Sequence, residues 1–240
     1  MRIHRFYTPI ELATDCEVQL PKEASHHCIQ VLRYKVGSSL ILFNGDGFDY
    51  AAEIVAIDKK TSKVKITKKI QLINESPLNI HLYQGIARGE KMDLVIQKSV
   101  ELGITQFTPI FTERSNVKLD AKRQEKKLSH WQNIAISASE QSGRAVIAKI
   151  NPPVFIKNIA ASNDSLSLIL EPSAGKKISE LTVDKNITIF IGPEGGFSDS
   201  DLERLKSIGA EGVRLGPRIL RTETAGLAAI AILQSSFGDV

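Results

Sequence analysis

Cysteines and long apolar runs are both scarce in this chain. Only two of its 240 residues are cysteines, and neither Cys16 nor Cys28 lies in a Cys-x-x-Cys pair or in a Cys/His cluster with zinc spacing, which excludes a disulfide framework or a common zinc site. No apolar run reaches the length of a transmembrane helix, and charged residues interrupt the amino-terminal stretch where a secretory signal is continuously apolar. We therefore expect a cytoplasmic protein with two reduced thiols and no metal.

The glycine patterns of the common nucleotide-binding loops are also missing. No G-x-G-x-x-G follows a strand and opens a helix, which disfavours a nicotinamide-dependent oxidoreductase, and no Lys-Ser/Thr pair follows a glycine-rich turn, which excludes a P-loop. The stretch Asn44-Gly45-Asp46-Gly47 has the composition of a β-hairpin turn instead.

The remaining composition, 42% hydrophobic and 24% charged with a net charge of +4, is that of a globular protein. Six lysines and no acid occur between residues 59 and 69. Lysines of this kind protect an edge strand against aggregation, or they face phosphates, and the charge pattern does not separate these explanations.

The chain has two parts with different patterns. Residues 1 to about 72 are rich in short β-type segments, at 40–43, 50–57 and 64–70, with one helix predicted at 24–32. From Leu78 onward, strands alternate with helices, which is typical of a mainly parallel α/β sheet. Its predicted strands are 79–85, 107–111, 166–170, 187–191 and 212–215, and its predicted helices are 91–102, 121–142 and 222–235. The last helix is nearly all apolar, so it must be buried in the core or against another subunit.

Three predicted strands of the second part end in unusual loops, which begin at Leu170, Gly192 and Leu215. Because the carboxyl ends of parallel strands share one edge of a sheet, the loops are expected to form a single pocket. Phosphate is a poor ligand for it, since Glu194 stands in the second loop, and Ser198 with Asp201 resembles a capping box that uses the N–H groups of the next helix. A ligand with a positive centre, held mainly by backbone groups, fits these residues better.

The second and third loops resemble the paired signatures of the RsmE family, the 16S ribosomal RNA uridine N3-methyltransferases of the SPOUT superfamily. The matching segments are Gly-Pro-Glu-Gly-Gly-Phe at 192–197 and Leu-Gly-Pro-Arg-Ile-Leu-Arg-Thr-Glu-Thr-Ala at 215–225, and residues 2–7 and 26–33 are similar to the amino-terminal domain of that family. The resemblance implies a PUA-like RNA-binding barrel over 1–72 and a SPOUT domain over 73–240. It further implies a C-terminal trefoil knot, which topology rules alone would not predict, and a homodimer with active sites at the subunit interface.

The same resemblance implies that the three loops bind S-adenosylmethionine (SAM), which leaves S-adenosylhomocysteine (SAH) after methyl transfer. The residues assigned to cofactor binding are Leu170, Glu171, Pro172, Gly192, Pro193, Glu194, Gly195, Gly196, Leu215, Gly216, Pro217, Ile219, Leu220 and Thr224. Arg221 and Arg218 are the candidates for stabilising the anion that forms when uracil N3 loses its proton, unless they only pair with Glu194 or Glu223. Arg221 is favoured because it directly precedes the buried helix.

Glu223 or Glu194 is expected to serve as the general base, and the sequence does not choose between them. Arg2, Arg5, Arg33 and Lys35 are the predicted phosphate contacts to 16S ribosomal RNA in the small subunit. A non-catalytic RNA-binding assembly factor stays the main alternative function.

Overall fold

The computed structural model describes residues 3–58, 61–115 and 120–240. The chain divides into two compact units, one formed by Met1–Glu75 with Ser139–Ile147, and the other by Ser76–Ala138 with Ala148–Val240. In the described ranges, no helix is both long and apolar enough to cross a membrane.

The first unit contains a five-stranded sheet in the order β1-β3-β4-β5-β2. Its strands are β1 Arg5–Tyr7, β2 Glu17–Gln19, β3 Ser39–Phe43, β4 Phe48–Ile57 and β5 Ser62–Gln71. Strand β1 runs parallel to β3, and the other pairs are antiparallel. One face of the sheet supplies a core that includes Phe6, Leu42, Tyr50 and Ile54.

The three predicted strands of this unit are confirmed, and the hairpin turn lies between β3 and β4 with Gly45 and Gly47 at positive φ. The helix predicted over 24–32 is present from Lys22 to Val31, but its hydrogen bonding changes along its length. An α-helix, α1 (Lys22–His26), passes into a π-helical turn at His27–Val31, where the Leu32 N–H bonds to the His27 carbonyl five residues earlier. Arg33 follows at φ 54°, in the left-handed region.

The lysine-rich segment falls mainly on β5, while Lys59 and Lys60 lie outside the described residues. Strand β5 is not an edge strand along 63–65, because β4 pairs on one side and β2 on the other. Lys63 and Lys65 are exposed and alternate with buried Val64 and Ile66, which is the pattern of a sheet with one solvated face.

The second unit contains a parallel sheet in the order β12-β10-β11-β6-β7-β8, with β9 also paired to β7. Its strands are β6 Asn79–Gly85, β7 Gln106–Phe111, β8 Lys149–Ile150, β9 Val154–Phe155, β10 Leu166–Leu170, β11 Asn186–Ile191 and β12 Glu211–Val213. Its helices are α2 Lys91–Glu101, α3 Ala121–Ser142, α4 Asp199–Ser207 and α5 Thr222–Phe237. The last residues of helix α3, from Ser139 onward, belong to the first unit.

The predicted parallel α/β arrangement is therefore confirmed. The last strand ends at Val213 rather than at residue 215, because beyond Val213 only an isolated bridge from Arg214 to Lys177 continues the pairing. Helices cover both faces of the sheet. The larger core packs Val95, Trp131 and Ile230 against one face, and a smaller core places Leu205 of α4 near Ile169 and Phe190 on the other.

Helix α5 has one buried side, which includes Gly226, Ala229, Ile230 and Leu233. Gly226 packs against β6 and β11, since a Cβ there would be in ordinary contact with Ile191 at 3.4 Å and with Gln84 at 3.6 Å. The first residues of α5 are thus held beside the ends of β6 and β11.

Candidate active site

The carboxyl ends of β10, β11 and β12 open onto one cavity of about 660 Å³. Residues from all three loops that follow these strands line it, as expected for neighbouring parallel strands. Ile191, Val213 and Leu215 supply apolar wall, and the glycine-rich turn exposes backbone groups beside them.

The glycine-rich turn after β11 depends on close backbone approaches. A Cβ at Gly85 would lie 2.4 Å from the Pro193 nitrogen, so no side chain fits at that position without moving the turn. Gly196 has φ +69° and donates its N–H to the Pro193 carbonyl at 2.8 Å. A residue with a Cβ would be strained at this φ, which explains the glycine.

The predicted capping box is present at the N-terminal end of the next helix, α4. The Ser198 hydroxyl accepts the Asp201 N–H at 3.1 Å, and Asp201 Oδ2 accepts the Ser198 N–H at 3.2 Å. The same carboxylate oxygen accepts the Glu113 N–H at 3.2 Å. The N-terminal end of α4 therefore uses its own side chains to bind its N–H groups, and its dipole is offset by acidic residues.

A buried polar chain joins β6, the turn and α5. Gln84 Nε2 donates to Thr222 Oγ1 at 2.8 Å, and the Thr222 hydroxyl donates to the Gly192 carbonyl at 2.6 Å. Gln84 is fully buried. These bonds fix the start of α5 against the glycine-rich turn.

Lys91, the first residue of α2, joins the two candidate carboxylates. Its Nζ lies 3.2 Å from Glu194 Oε1 and 3.4 Å from Glu223 Oε2. The hydrogen bond to Glu194 is the largest cause of a raised pKa for Lys91. For Glu194, burial would raise the pKa, but its own backbone N–H, the Arg88 N–H and Lys91 together lower it. The lysine thus places a positive charge on the cavity wall between two acids.

Arg218 and Arg221 both line the cavity and are exposed. In the ranges that the structure describes, neither arginine forms an ion pair, so the alternative that they only pair with Glu194 or Glu223 has no support. Lys91 forms the ion pairs with both acids instead. Arg221 is fixed through its backbone carbonyl, which accepts the Thr224 and Ala225 N–H groups. Its guanidinium is not held by a hydrogen bond to any described residue. Arg221 was favoured because its place before the buried helix should hold it firmly, and this applies to its backbone but not to its side chain.

Most of the predicted pocket residues lie together. Of the residues assigned to cofactor binding or catalysis, all but Pro217 and Thr224 line the cavity. Sequence reasoning missed Lys91, Gln84 and Thr222. Thr222 stands inside a recognised motif, but Lys91 and Gln84 lie more than a hundred residues earlier in a helix start and a strand, where nothing in the pattern marks them.

The residues predicted to contact phosphate differ in their burial and in their bonding partners. Arg2 lies outside the described residues. Arg5 forms a nearly buried ion pair with Asp49 at 2.5 Å and also donates to the carbonyls of Ser139 and Arg144. Its guanidinium therefore holds the first unit together, and its predicted contact with RNA has no support from this placement. Arg33 and Lys35 are exposed.

The two cysteines show no sign of a reactive pair, since Cys16 is exposed and Cys28 is buried. Burial raises the pKa of the Cys28 thiol to about 12. Within the described parts of the chain, no group of three or more His, Cys, Asp or Glu residues could hold a metal ion.

Comparison with known proteins assigns the chain to a family. Residues 74–234 match the model of an RNA methyltransferase domain, and residues 20–67 match that of an RNA methyltransferase PUA domain. The chain is 41% identical over 243 residues to the ribosomal RNA small subunit methyltransferase E of Buchnera aphidicola subsp. Schizaphis graminum, which covers 100% of this chain and 98% of the relative. This chain belongs to the ribosomal RNA small subunit methyltransferase E family.

Solved structures agree with that family. The small subunit methyltransferase E of Neisseria gonorrhoeae, bound to S-adenosyl methionine, is 37% identical with a TM-score of 0.95 and 99% of each chain covered. A methyltransferase of Legionella pneumophila in complex with SAM is 40% identical with a TM-score of 0.95 over 100% of both chains. The resemblance predicted from the loop motifs is therefore confirmed, as is the PUA-like character of the amino-terminal part.

Proposed function

We propose that this chain transfers a methyl group from SAM to N3 of a uridine in the 16S ribosomal RNA of the small subunit. The observation that carries the proposal is the cavity that the loops after β10, β11 and β12 share, in a chain of the small subunit methyltransferase E family. A cytoplasmic location follows from this role.

The cavity fits SAM in size and in chemistry. Its volume of about 660 Å³ is within the roughly 300–1,000 Å³ of small-molecule sites. Leu170, Leu215 and Leu220 supply apolar surface for the adenosine, and the exposed backbone of the glycine-rich turn supplies hydrogen-bonding groups. Carboxylates on the wall, Glu171 among them, suit a ligand with a positive centre. When bound, SAM supplies an electrophilic methyl group on its sulfonium.

The residues of the chain then have to bring uracil N3 into line and remove its proton. Arg221 and Arg218, exposed on the cavity wall and without ion pairs in the described ranges, are placed to stabilise the negative charge that develops on the uracil ring. Glu223 and Glu194 are the acidic residues that could accept the proton.

The amino-terminal part is proposed to bind the RNA. We assign residues 1–72 to a PUA-like RNA-binding domain and 73–240 to the catalytic SPOUT domain, and the matched PUA model over 20–67 supports the first assignment. Arg33 and Lys35, which are exposed, are the phosphate contacts that we propose. The target base has to leave its stack to reach a cavity of this kind.

A trefoil knot and a homodimer complete the proposal. The close approach of Gly85 to Pro193 and the Thr222–Gly192 hydrogen bond show that β6, the glycine-rich turn and the start of α5 pack closely, as a knot requires. Ile219, 82% exposed at the cavity, supports a second copy that covers it. Sedimentation of the purified protein tests the dimer.

Two experiments test the proposed function. In a thermal-shift assay, SAM and SAH are expected to raise the melting temperature and NAD is not, because only a ligand of the native state stabilises it. Purified small subunits, and naked 16S RNA in parallel, are then incubated with SAM labelled in its methyl group, and the nucleosides are separated. Label in 3-methyluridine supports the proposal. Cofactor binding without any labelled nucleoside from either RNA source would favour the non-catalytic assembly factor.

A further inference from the structure

Glu194 and Glu223 both contact Lys91, but their surroundings differ. Glu194 Oε1 accepts hydrogen bonds from the Arg88 N–H and from Lys91 Nζ, each at 3.2 Å. The Glu194 side chain is 38% exposed, whereas that of Glu223 is 16% exposed. The two acids are thus not equivalent candidates for one task.

Glu223 Oε2 is shielded from solvent and accepts no hydrogen bond from any described residue. Lys91 Nζ lies 3.4 Å from this same oxygen, so the ion pair holds Glu223 through Oε2 and leaves Oε1 for a ligand. Glu223 lines the main cavity together with Arg221.

Lys91 and Glu223 also line a second cavity of about 570 Å³, whose wall includes Leu94, Ile134 and Gln97. The pair therefore lies between the two cavities. Both cavities thus have the Glu223 side chain in their wall, as a base that meets a separately bound cofactor requires.

We propose that Lys91 is a positioning residue that gives the two carboxylates different roles. It binds Glu194 firmly, and it holds Glu223 so that one oxygen is free to accept the proton of uracil N3. This inference rests on the proposed function. The lowered pKa of Glu194 agrees with it, because a carboxylate stabilised as the anion is a weaker base.

The step balances without a further reactant. The N3–H bond breaks and its proton passes to Glu223 Oε1. The electron pair left on N3 forms the bond to the methyl carbon, while the carbon–sulfur bond breaks and its pair stays on the sulfur, which becomes a neutral thioether. Arg221 and Arg218 face the charge that develops on the uracil oxygens in this step.

The test compares Glu223→Gln, Glu194→Gln, Lys91→Met and Lys91→Arg in single-turnover methylation of small subunits. Glu223→Gln is expected to lower the rate by roughly 100-fold or more, the usual contribution of a general base, and Glu194→Gln by less than about 10-fold. Lys91→Met is expected to lower the rate with SAH affinity unchanged by calorimetry, and Lys91→Arg to recover part of it. Lys98→Met, which breaks an ion pair with Glu101 elsewhere on α2, is the control.

A readout without catalysis accompanies the rates. In a carbon-detected NMR titration, the pKa of Glu194 is expected to rise in Lys91→Met, because one cause of its lowered value is gone, and to stay unchanged in Lys98→Met. Any one of three results would overturn this inference and leave the proposed function standing. They are an active Glu223→Gln enzyme, an unaffected rate in Lys91→Met, and loss of SAH binding in Lys91→Met. A wild-type chain that binds SAH and never methylates small subunits would overturn the proposed function and this inference with it.

Discussion

The Thr222 hydroxyl donates a hydrogen bond to the Gly192 carbonyl at 2.6 Å, across thirty positions of the chain. It joins the first residue of α5 to the turn that opens the candidate cofactor site. Because Gln84 donates to the same hydroxyl, the shape of the cavity depends on a buried contact among three separate segments.

Thr222→Val is expected to destabilise the protein. The change leaves the Gly192 carbonyl without this donor, and a buried group left unpaired costs about 1–3 kcal/mol, while Gln84 Nε2 keeps its hydrogen bond to the Gly85 carbonyl at 3.2 Å. Urea unfolding measures the loss. Thr182→Val, at an exposed position of the same unit, is the control and is expected to change little. Equal stability of the two variants would show that the hydrogen bond contributes nothing.

Gly85→Ala is expected to displace the glycine-rich turn. The new Cβ would meet the Pro193 nitrogen at 2.4 Å and the Gly192 carbonyl carbon at 2.8 Å, and overpacking of this kind costs about 1–3 kcal/mol. SAM affinity, measured by calorimetry, should fall together with stability. Gly175→Ala has open space around its Cβ and should behave as wild type. Unchanged SAM binding in Gly85→Ala would separate this turn from the cofactor site.

Arg221→Ala is expected to abolish most methyl transfer while SAM binding persists. Arg221 lines the cavity and no described residue bonds to its guanidinium, so the guanidinium is free for the reacting base. Loss of one donor that stabilises developing charge typically costs about 10²–10³ in rate. Arg218→Ala, measured beside it, ranks the two arginines, and Arg123→Ala, at an exposed position of α3, is the control. Near-normal turnover in Arg221→Ala would remove it from the catalytic set.

Arg5 and Arg33 are expected to respond in opposite ways. Arg5→Met leaves the Asp49 carboxylate buried without its partner, which typically costs about 3–5 kcal/mol. Arg33→Met changes an exposed side chain, so stability should hold while affinity for 16S RNA falls. Chemical unfolding and filter binding at two salt concentrations measure both effects. A stable Arg5→Met protein with weakened RNA binding would restore Arg5 as a phosphate contact.

Acid is expected to destabilise the second unit through His81. Burial, with the charge of Lys149 second, lowers the pKa of His81 from 6.5 to about 4. The folded ring therefore stays neutral while the unfolded ring takes up a proton, so stability is constant above about pH 6.5 and falls as the pH drops toward 4. By proton linkage the loss at pH 4.5 is about 2–3 kcal/mol.

His81→Gln should remove that part of the pH dependence, because glutamine keeps a polar group near Thr108, which His81 Nε2 contacts at 2.7 Å, and does not titrate. The free energy of unfolding of both proteins is measured at pH 7 and pH 4.5. His26→Gln, at an exposed position, should retain the wild-type slope. Parallel slopes for wild type and His81→Gln would contradict the assignment.

The sequence predicted the long elements and the location of the site, since their signals are local. Strand 79–85 and helix 121–142 have the predicted bounds, and the capping box of α4 is readable from Ser198 and Asp201 alone. Strands of two or three residues, such as β8 and β12, carry too few positions to show a period. The π-helical turn after His26 has no distinctive composition.

Within the site, the motif residues were readable and their partners were not. Glu194 and Glu223 stand in the family signatures, but the residue that distinguishes them, Lys91, reaches them only because β6 and α2 lie beside β11 and α5 in the folded unit. Likewise, arginine is a residue type that often contacts phosphate, and only the burial of Arg5 against Asp49 shows that its role is structural. Contacts between distant segments are set by topology, which a local pattern does not encode.

The measurement that tests the central claim most directly is nucleoside mass spectrometry of 16S RNA from small subunits incubated with this protein and SAM. The account predicts one new 3-methyluridine per subunit, absent when SAM is omitted and strongly reduced with Arg221→Ala. A methyl group on another atom or another base, or none at all with an enzyme that binds SAM, would contradict it.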